Sequence, residues 1–334
     1  MGPAGWPGPL DWGILTTHSC FCLGTPMQKD CLTLATAINA RYTLPLAVAL
    51  LSLREHLRPS THPVLYLVQP DLPDAHLEIL RGLVDLHLLH PTPEQLALVP
   101  SDARFPREAA MPLLLPLILP DHLDRVLFID ADTLVLDDLT PLNEVEFGDA
   151  TLAAVPDAAI PTCTAPRGVK DCSRYRVPPG APYFNAGILL MEIHRWRSRN
   201  LTPLALEYLR ETGDQVDFLH QEALNAVAWD QWVRLEPRWN LVASLAGRSY
   251  GPPLPAPDVQ HPAIVHFSGR FKPWLHPVGG PFASRYAHFL EEALRLFPDA
   301  AVPSFRDRFY GLYDRRLRPY AYWLEHALWK RRIL

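Results

Sequence analysis

Hydrophobic and polar positions switch between two periods along the first part of the chain. LTLATAI (32–38) is a short apolar, Thr-rich run that reads as a buried strand. NARY follows as a loop, and LPLAVALLSLREHL (44–57) reads as a helix, apolar nearly all round and closed by Arg-Pro. VLYLV (64–68) is a second strand, DAHLEILRGLV (74–84) has helical spacing, and VDLHLLH (84–90) is a third strand. REAAMPLLLPLIL (107–119) predicts a helix made irregular by Pro112 and Pro116. RVLFI (125–129) is a fourth strand ending in Asp-Ala-Asp. Strands alternating with helical runs indicate a parallel α/β sheet. In such sheets ligands bind beyond the carboxyl ends of the strands. Asn39 and Tyr42 follow one strand and Asp130 and Asp132 follow another, so these two loops are candidates for one shared site.

After about residue 140 the pattern changes. TLAAV (151–155), FNAGILLM (184–191), WVRLEP (232–237) and AIVHFS (263–268) read as strands. LTPLALEYLRET (201–212), HQEALNAVAW (220–229) and FASRYAHFLEEALRLF (282–297) read as helices. No internal repeat is present. Residues 1–31 are Gly/Pro-rich without periodicity and are expected to be a disordered extension, with Met27 as an alternative start. The main domain is expected over 32–300 and a basic, aromatic helical tail over 301–334.

Composition changes this picture little. The 334 residues suffice for a full core, and a formal net charge of −5 argues against a general nucleic-acid binder. The 36 prolines, roughly twice the usual share of about 5%, are scattered and read as rigid loops. No segment approaches the ~18–20 apolar residues of a membrane span, and no basic region precedes the apolar stretch at the N-terminus, so no signal peptide is expected. Five cysteines without paired Cys-x-x-Cys units point to reduced thiols; a Cys163–Cys172 bridge would need an oxidising compartment. In the tail, Arg315, Arg316, Arg318, Lys330, Arg331 and Arg332 interleave with Tyr320, Tyr322, Trp323 and Trp329. Such a segment suits an anionic membrane surface, and equally a helix packed on the domain with a solvated basic face.

The candidate chemistry starts at Asp130 and Asp132. Residues two apart on extended chain lie on the same side, so both carboxylates can converge on one hard cation. The same pair could equally cap a strand-to-loop turn. His266 ends the apolar run AIVHF; an imidazole beside two carboxylates would favour a transition metal such as Mn²⁺ over Mg²⁺. Gly269 allows close backbone approach to an anion, and Lys272 is a point charge suited to a phosphate oxygen.

Asp-x-Asp, then YFNAGILL (183–190), HQEALN (220–225) and HFSGRFKPW (266–274), in this order, resembles family 8 of the retaining glycosyltransferases, over roughly Leu32 to Leu290. The resemblance implies a GT-A fold, a Rossmann-like nucleotide-binding mixed sheet flanked by helices, with a helical C-terminal extension. It implies transfer of a hexose from a UDP-sugar to a glycan or lipid-linked saccharide acceptor with retention of configuration. The implied ion is Mn²⁺, with Mg²⁺ as the alternative, on Asp130, Asp132 and His266. Asn39 and Tyr42 match the loop around uracil and ribose, and Gly269 and Lys272 the diphosphate end. Asn185, Ala186, Gln221 and His220 match positions facing the donor sugar, and Asp157 a carboxylate near sugar and acceptor. Lipopolysaccharide biosynthesis on the cytoplasmic side, with peripheral membrane contact through the tail, is the setting such relatives suggest.

Three departures stand out. His220 occupies the place of an acid that contacts sugar hydroxyls, so the sugar need not be galactose. Leu113, about seventeen residues before Asp130, holds the place of a basic residue. The nucleotide loop TAINARY has no acidic residue. Because Gln221 is a poor nucleophile, a front-face substitution is expected, with Gln221 stabilising positive charge on the sugar and Glu222 as a backup nucleophile. The rival readings are a haloacid-dehalogenase-like phosphatase, which usually has Thr or Val where Leu134 stands, and a non-catalytic sugar-nucleotide binder on the same fold.

Overall fold

The protein is described by a computed structural model over residues 31–99, 107–243, 261–269, 272–275 and 282–300. The expected extension before residue 31 and the tail 301–334 lie outside the described residues. The first half runs β1 (Cys31–Ala37), α1 (Thr43–His56), β2 (His62–Val68), α2 (Asp74–Arg81), β3 (Asp85–Leu89), α3 (Pro93–Ala97), α4 (Met111–Ile118) and β4 (Arg125–Ile129). The second half runs β5 (Thr133–Val135), β6 (Leu152–Pro156), β7 (Phe184–Glu192), α5 (Ile193–Ser198), α6 (Leu201–Thr212), α7 (Leu219–Val227), β8 (Trp232–Arg234), β9 (Leu241–Val242), β10 (Ile264–His266) and α8 (Ala283–Leu296).

Seven strands form one sheet in the order β3-β2-β1-β4-β7-β6-β8. Its first four strands are mutually parallel, as the alternating pattern predicts. The sheet is nevertheless mixed, because β7 runs antiparallel to both β4 and β6. The physical reason is the connection: the chain leaves β6 through a long loop, with no helix between β6 and β7 to carry it back for a parallel return. A second sheet, β5-β10-β9, holds β10 antiparallel to β5 and parallel to β9.

The apolar girth of α1 is explained by its surroundings. It is buried from Thr43 to Leu53 and shares a core with α8, β5 and β10 on one side of the large sheet. On the other side α4, α6 and α7 pack with the 157–183 loop around Phe128, Trp196 and Tyr208. The irregularity expected of 107–119 takes the form of a 3-10 turn, Arg107–Ala110, before α4. Pro116 lies inside α4, and Arg197 donates to the carbonyls of Pro116 and Leu119, 2.6 Å each, closing the helix end. Among the described residues no helix is long and apolar enough to cross a membrane.

Candidate functional site

The site assembles where β4, β5, β7 and β10 meet. Ile129 ends β4, and the Asp130 amide donates to the Gly187 carbonyl of β7 at 2.8 Å. In the antiparallel pair of β5 and β10, His266 stands opposite Thr133, so a residue far away in sequence lands beside Asp132. The Phe267 amide closes the junction by donating to the Asp132 carbonyl at 2.9 Å.

This geometry brings the three expected ligands together. His266 Nε2 lies 3.5 Å from Asp130 Oδ2 and 3.3 Å from Asp132 Oδ1. One ligand atom from each of the three residues lies within 4.8 Å of the others. Two carboxylates and an imidazole form a donor set that suits Mn²⁺. Burial, with repulsion from Asp132 added, raises the Asp130 pKa to about 7. Burial acts the same way on Asp132, but Lys272 and His266 overcome it and hold that carboxyl well below the usual range. Burial would lower the His266 pKa, and the two carboxylates outweigh it and raise the value. A crowded acidic pair of this kind, Asp132 buried and Asp130 half-buried, is relieved by a divalent cation, so the residues fit the metal.

Lys272 donates to Asp132 and to the Phe267 carbonyl, the latter at 3.0 Å. Gly269 has φ +90, a conformation that glycine adopts without steric cost, and a Cβ built there would meet no described atom within 4 Å. Tyr42 meets Trp274 edge-on at 5.6 Å, and its hydroxyl, raised in pKa mainly by burial, feels Lys272, Asp132 and Asp130. The two loops expected to share a site therefore lie side by side. Asn39 accepts from the Arg41 amide at 3.1 Å and approaches Glu108 at 3.5 Å. Acids from other elements lie against TAINARY: Asp71 accepts from the Ala40 amide at 2.8 Å, and Glu108 reaches Asn39.

On the opposite flank lies a chain of amides. Asn185 donates to Asp157 Oδ2 at 2.9 Å, and Gln221 donates to the same oxygen at 3.2 Å. Asp157 Oδ1 accepts from the amides of Ala159 and Ile160 at 2.8 and 2.9 Å. Gln221 Oε1 accepts from the Ala186 amide at 3.0 Å. The β6–β7 register slips here: Ala154 pairs with Leu189 but Val155 with Asn185, so β7 bulges and presents 186–188 toward β4.

Glu222 and Leu113 stand apart from this cluster. Glu222 does not join the cluster: it is fully buried, and its oxygens accept from the Tyr208 hydroxyl at 2.5 Å and the Asp217 amide at 2.8 Å. Leu113 is a core residue, so its place supplies no donor contact. His220 lies edge-on to Phe128 with centroids 6.4 Å apart; burial lowers its pKa to about 4, against a smaller upward pull from the backbones of Ala109 and Ala186. It is thus a neutral imidazole, and its Nε2 has no hydrogen-bond partner among the described residues. Cys163 and Cys172 are free thiols, and burial pushes the first up to about 12.

Sequence reading missed two residues. A Cβ on Gly187 would stand 2.1 Å from His266 Cε1 and 2.8 Å from Asp130 Oδ2. Asn240 accepts from His266 Nδ1 at 3.1 Å and donates to Asn185 at 2.8 Å. The glycine inside a strand was a readable signal of close approach, whereas nothing local to PRWNL marks Asn240.

Comparison with known proteins adds the family. General stress protein A of Bacillus subtilis is 33% identical over 183 residues, covering 52% of this chain and 61% of that protein. Lipopolysaccharide 1,3-galactosyltransferase of Salmonella typhimurium is 28% identical over 170 residues, covering 50% and 48%. The chain thus spans less than two thirds of either relative. The crystal structure of an active-site mutant of LgtC superposes with a TM-score of 0.66 at 22% identity, over 78% of this chain and 96% of that one. That likeness shows the GT-A fold, and the phosphatase reading gives way to it. The model of glycosyl transferase family 8 matches residues 33–277, spanning the Asp130 pair, the Asn185 bulge, Gln221 and the His266–Lys272 segment, and the chain belongs to that family.

Proposed function

We propose that the protein transfers a hexose from a UDP-sugar to a saccharide acceptor with retention of configuration, and that it requires Mn²⁺, Mg²⁺ being the weaker alternative. The observation that carries this is the Asp130–Asp132–His266 cluster with Lys272 against Asp132, at the carboxyl end of the parallel strands. The ion, when bound, would neutralise charge developing on the leaving diphosphate. Lys272 and the Gly269 backbone would hold the same diphosphate, and Tyr42 and Asn39 the nucleoside. Asp157, Asn185, Ala186, Gln221 and the neutral His220 would line the sugar.

The hydrogen bonding favours a front-face substitution. Each oxygen of Asp157 already accepts two hydrogen bonds, and both Glu222 oxygens are engaged elsewhere. Neither Asp157 nor Glu222 is thereby left ready to attack the anomeric carbon. Gln221, its amide oriented by Ala186 and Asp157, would supply a fixed dipole beside the positive charge. The named activity of the Salmonella relative supports a lipopolysaccharide acceptor; the basic, aromatic composition of 301–334 supports contact of that tail with the inner face of the membrane, on the cytoplasmic side.

A panel of UDP-sugars scored by thermal shift with and without Mn²⁺, followed by NMR of the product anomer, tests this. Mn²⁺-dependent stabilisation by one sugar and a retained anomer are expected; an inverted anomer sinks the mechanism. Removal of residues 304–334 should release the protein from the membrane fraction, and an unchanged distribution would refute the tail assignment.

A further inference from the structure

The amide chain behind the metal cluster has a direction that can be worked out without ambiguity. An asparagine side chain normally leaves its oxygen and nitrogen interchangeable. Here the chain starts from a group that can only donate, the Gly187 backbone N–H. The Asn185 atom 3.0 Å from it is therefore the oxygen, which leaves the Asn185 amino group facing Asp157 Oδ2 at 2.9 Å. That same Asn185 oxygen lies 2.8 Å from Asn240, so the Asn240 atom there is the amino group. The Asn240 oxygen then faces His266 Nδ1 at 3.1 Å, and an oxygen opposite a ring nitrogen requires a proton on that nitrogen. A neutral His266 consequently carries its lone pair on Nε2, the atom that faces Asp130 and Asp132. Asn240 is 4% exposed and Asn185 6%, so water does not compete for these bonds.

We infer that Asn240 is the positioning residue that locks His266 in the Nδ1–H tautomer and aims its Nε2 lone pair at the ion. This rests on the metal reading of the cluster and extends it to a residue that touches neither ion nor substrate. The lock also joins the two halves of the site, because Asn185 ties the same chain to Asp157 and, through it, to Gln221. Partners of this kind are worth about 10–100-fold in metal affinity.

The test uses the full-length protein and metal alone. Mn²⁺ binding is followed by electron paramagnetic resonance of the free ion in the wild type and in Asn240→Ala. Measurable binding by the wild type with a Kd raised about 10–100-fold in Asn240→Ala is the expected result. Equal affinity in the two overturns the inference while leaving the metal site standing; no binding by the wild type overturns the metal reading and the inference with it. A second measurement needs no variant. In protein carrying ¹⁵N-histidine and loaded with ¹¹³Cd²⁺, scalar coupling should appear to His266 Nε2, with a proton on Nδ1. Coupling to Nδ1, or a bare Nδ1, overturns the inference even if Asn240→Ala does not fold.

Discussion

Gly187 lacks a side chain because none fits between His266 and Asp130. Gly187→Ala should force those two ligands apart, costing about 1–3 kcal/mol as an overpacked core site. Calorimetry should show a lower Tm, and Mn²⁺ binding should weaken with it; an unchanged Tm and Kd would contradict the steric argument. Asp130 allows a pH prediction. Its pKa is raised to about 7, so a proton competes with the metal below that pH, and the raised pKa of His266 adds competition in the same direction. Mn²⁺ affinity should therefore rise with pH through about 7, by up to about tenfold per unit for each proton displaced. Titration calorimetry at several pH values should show this, and a flat profile would mean neither group is a ligand. Asp132→Ala removes a ligand and the partner of Lys272; kcat/KM should fall about a hundredfold or more.

At the scale of elements, α7 carries two neighbouring polar residues with different duties. Gln221 bonds to Asp157 and to the Ala186 amide of β7, while Glu222 bonds to Tyr208 of α6 and to the Asp217 amide just before α7. Burial raises the Glu222 pKa, and the bonds from Tyr208 and Asp217 offset this only in part. Glu222→Ala would leave the Tyr208 hydroxyl and the Asp217 amide without their acceptor, costing about 1–3 kcal/mol of stability. Activity per folded molecule should stay within a few-fold of wild type. A loss of several orders of magnitude in well-folded Glu222→Ala would restore the nucleophile role that the sequence suggested. Both residues sit in HQEALN, and helical spacing alone does not say which of two adjacent polar side chains faces a ligand. The contact of α7 with α6 and β7 decides it.

At the scale of the molecule, the site is a junction of two sheets and two loops. Its proposed ligands come from β10 and from the turn between β4 and β5, so a bound ion and nucleotide would cross-link parts of the fold distant in sequence. Ligand that binds only the folded state stabilises it by about 2.7 kcal/mol at a hundredfold excess over Kd. For a chain of this size that is roughly 4 °C in Tm. Scanning calorimetry with Mn²⁺ and UDP together should show such a rise, and Asp132→Ala should abolish it.

The sequence by itself determined the local elements. Continuous apolar runs placed β1, α1, β2, β4 and β7, alternation placed β3, and helical spacing placed α2, α6, α7 and α8 close to their observed bounds, because full burial or burial of one face dictates those patterns. The ordered motifs named the family and nearly all the clustered residues. Tertiary structure decided the rest, for reasons that no local pattern carries. The short β5 and β9 exist through pairing with β10, and that pairing delivers His266 to Asp132. Antiparallel β7 and its bulge set where Asn185 and Gly187 stand. Asp71 and Glu108, from elsewhere in the chain, place acids against the TAINARY loop, which has none of its own. Asn240, one polar residue in an undistinguished segment, acquires its place only through hydrogen bonds to His266 and Asn185, and such long-range bonds are fixed by packing rather than by spacing along the chain.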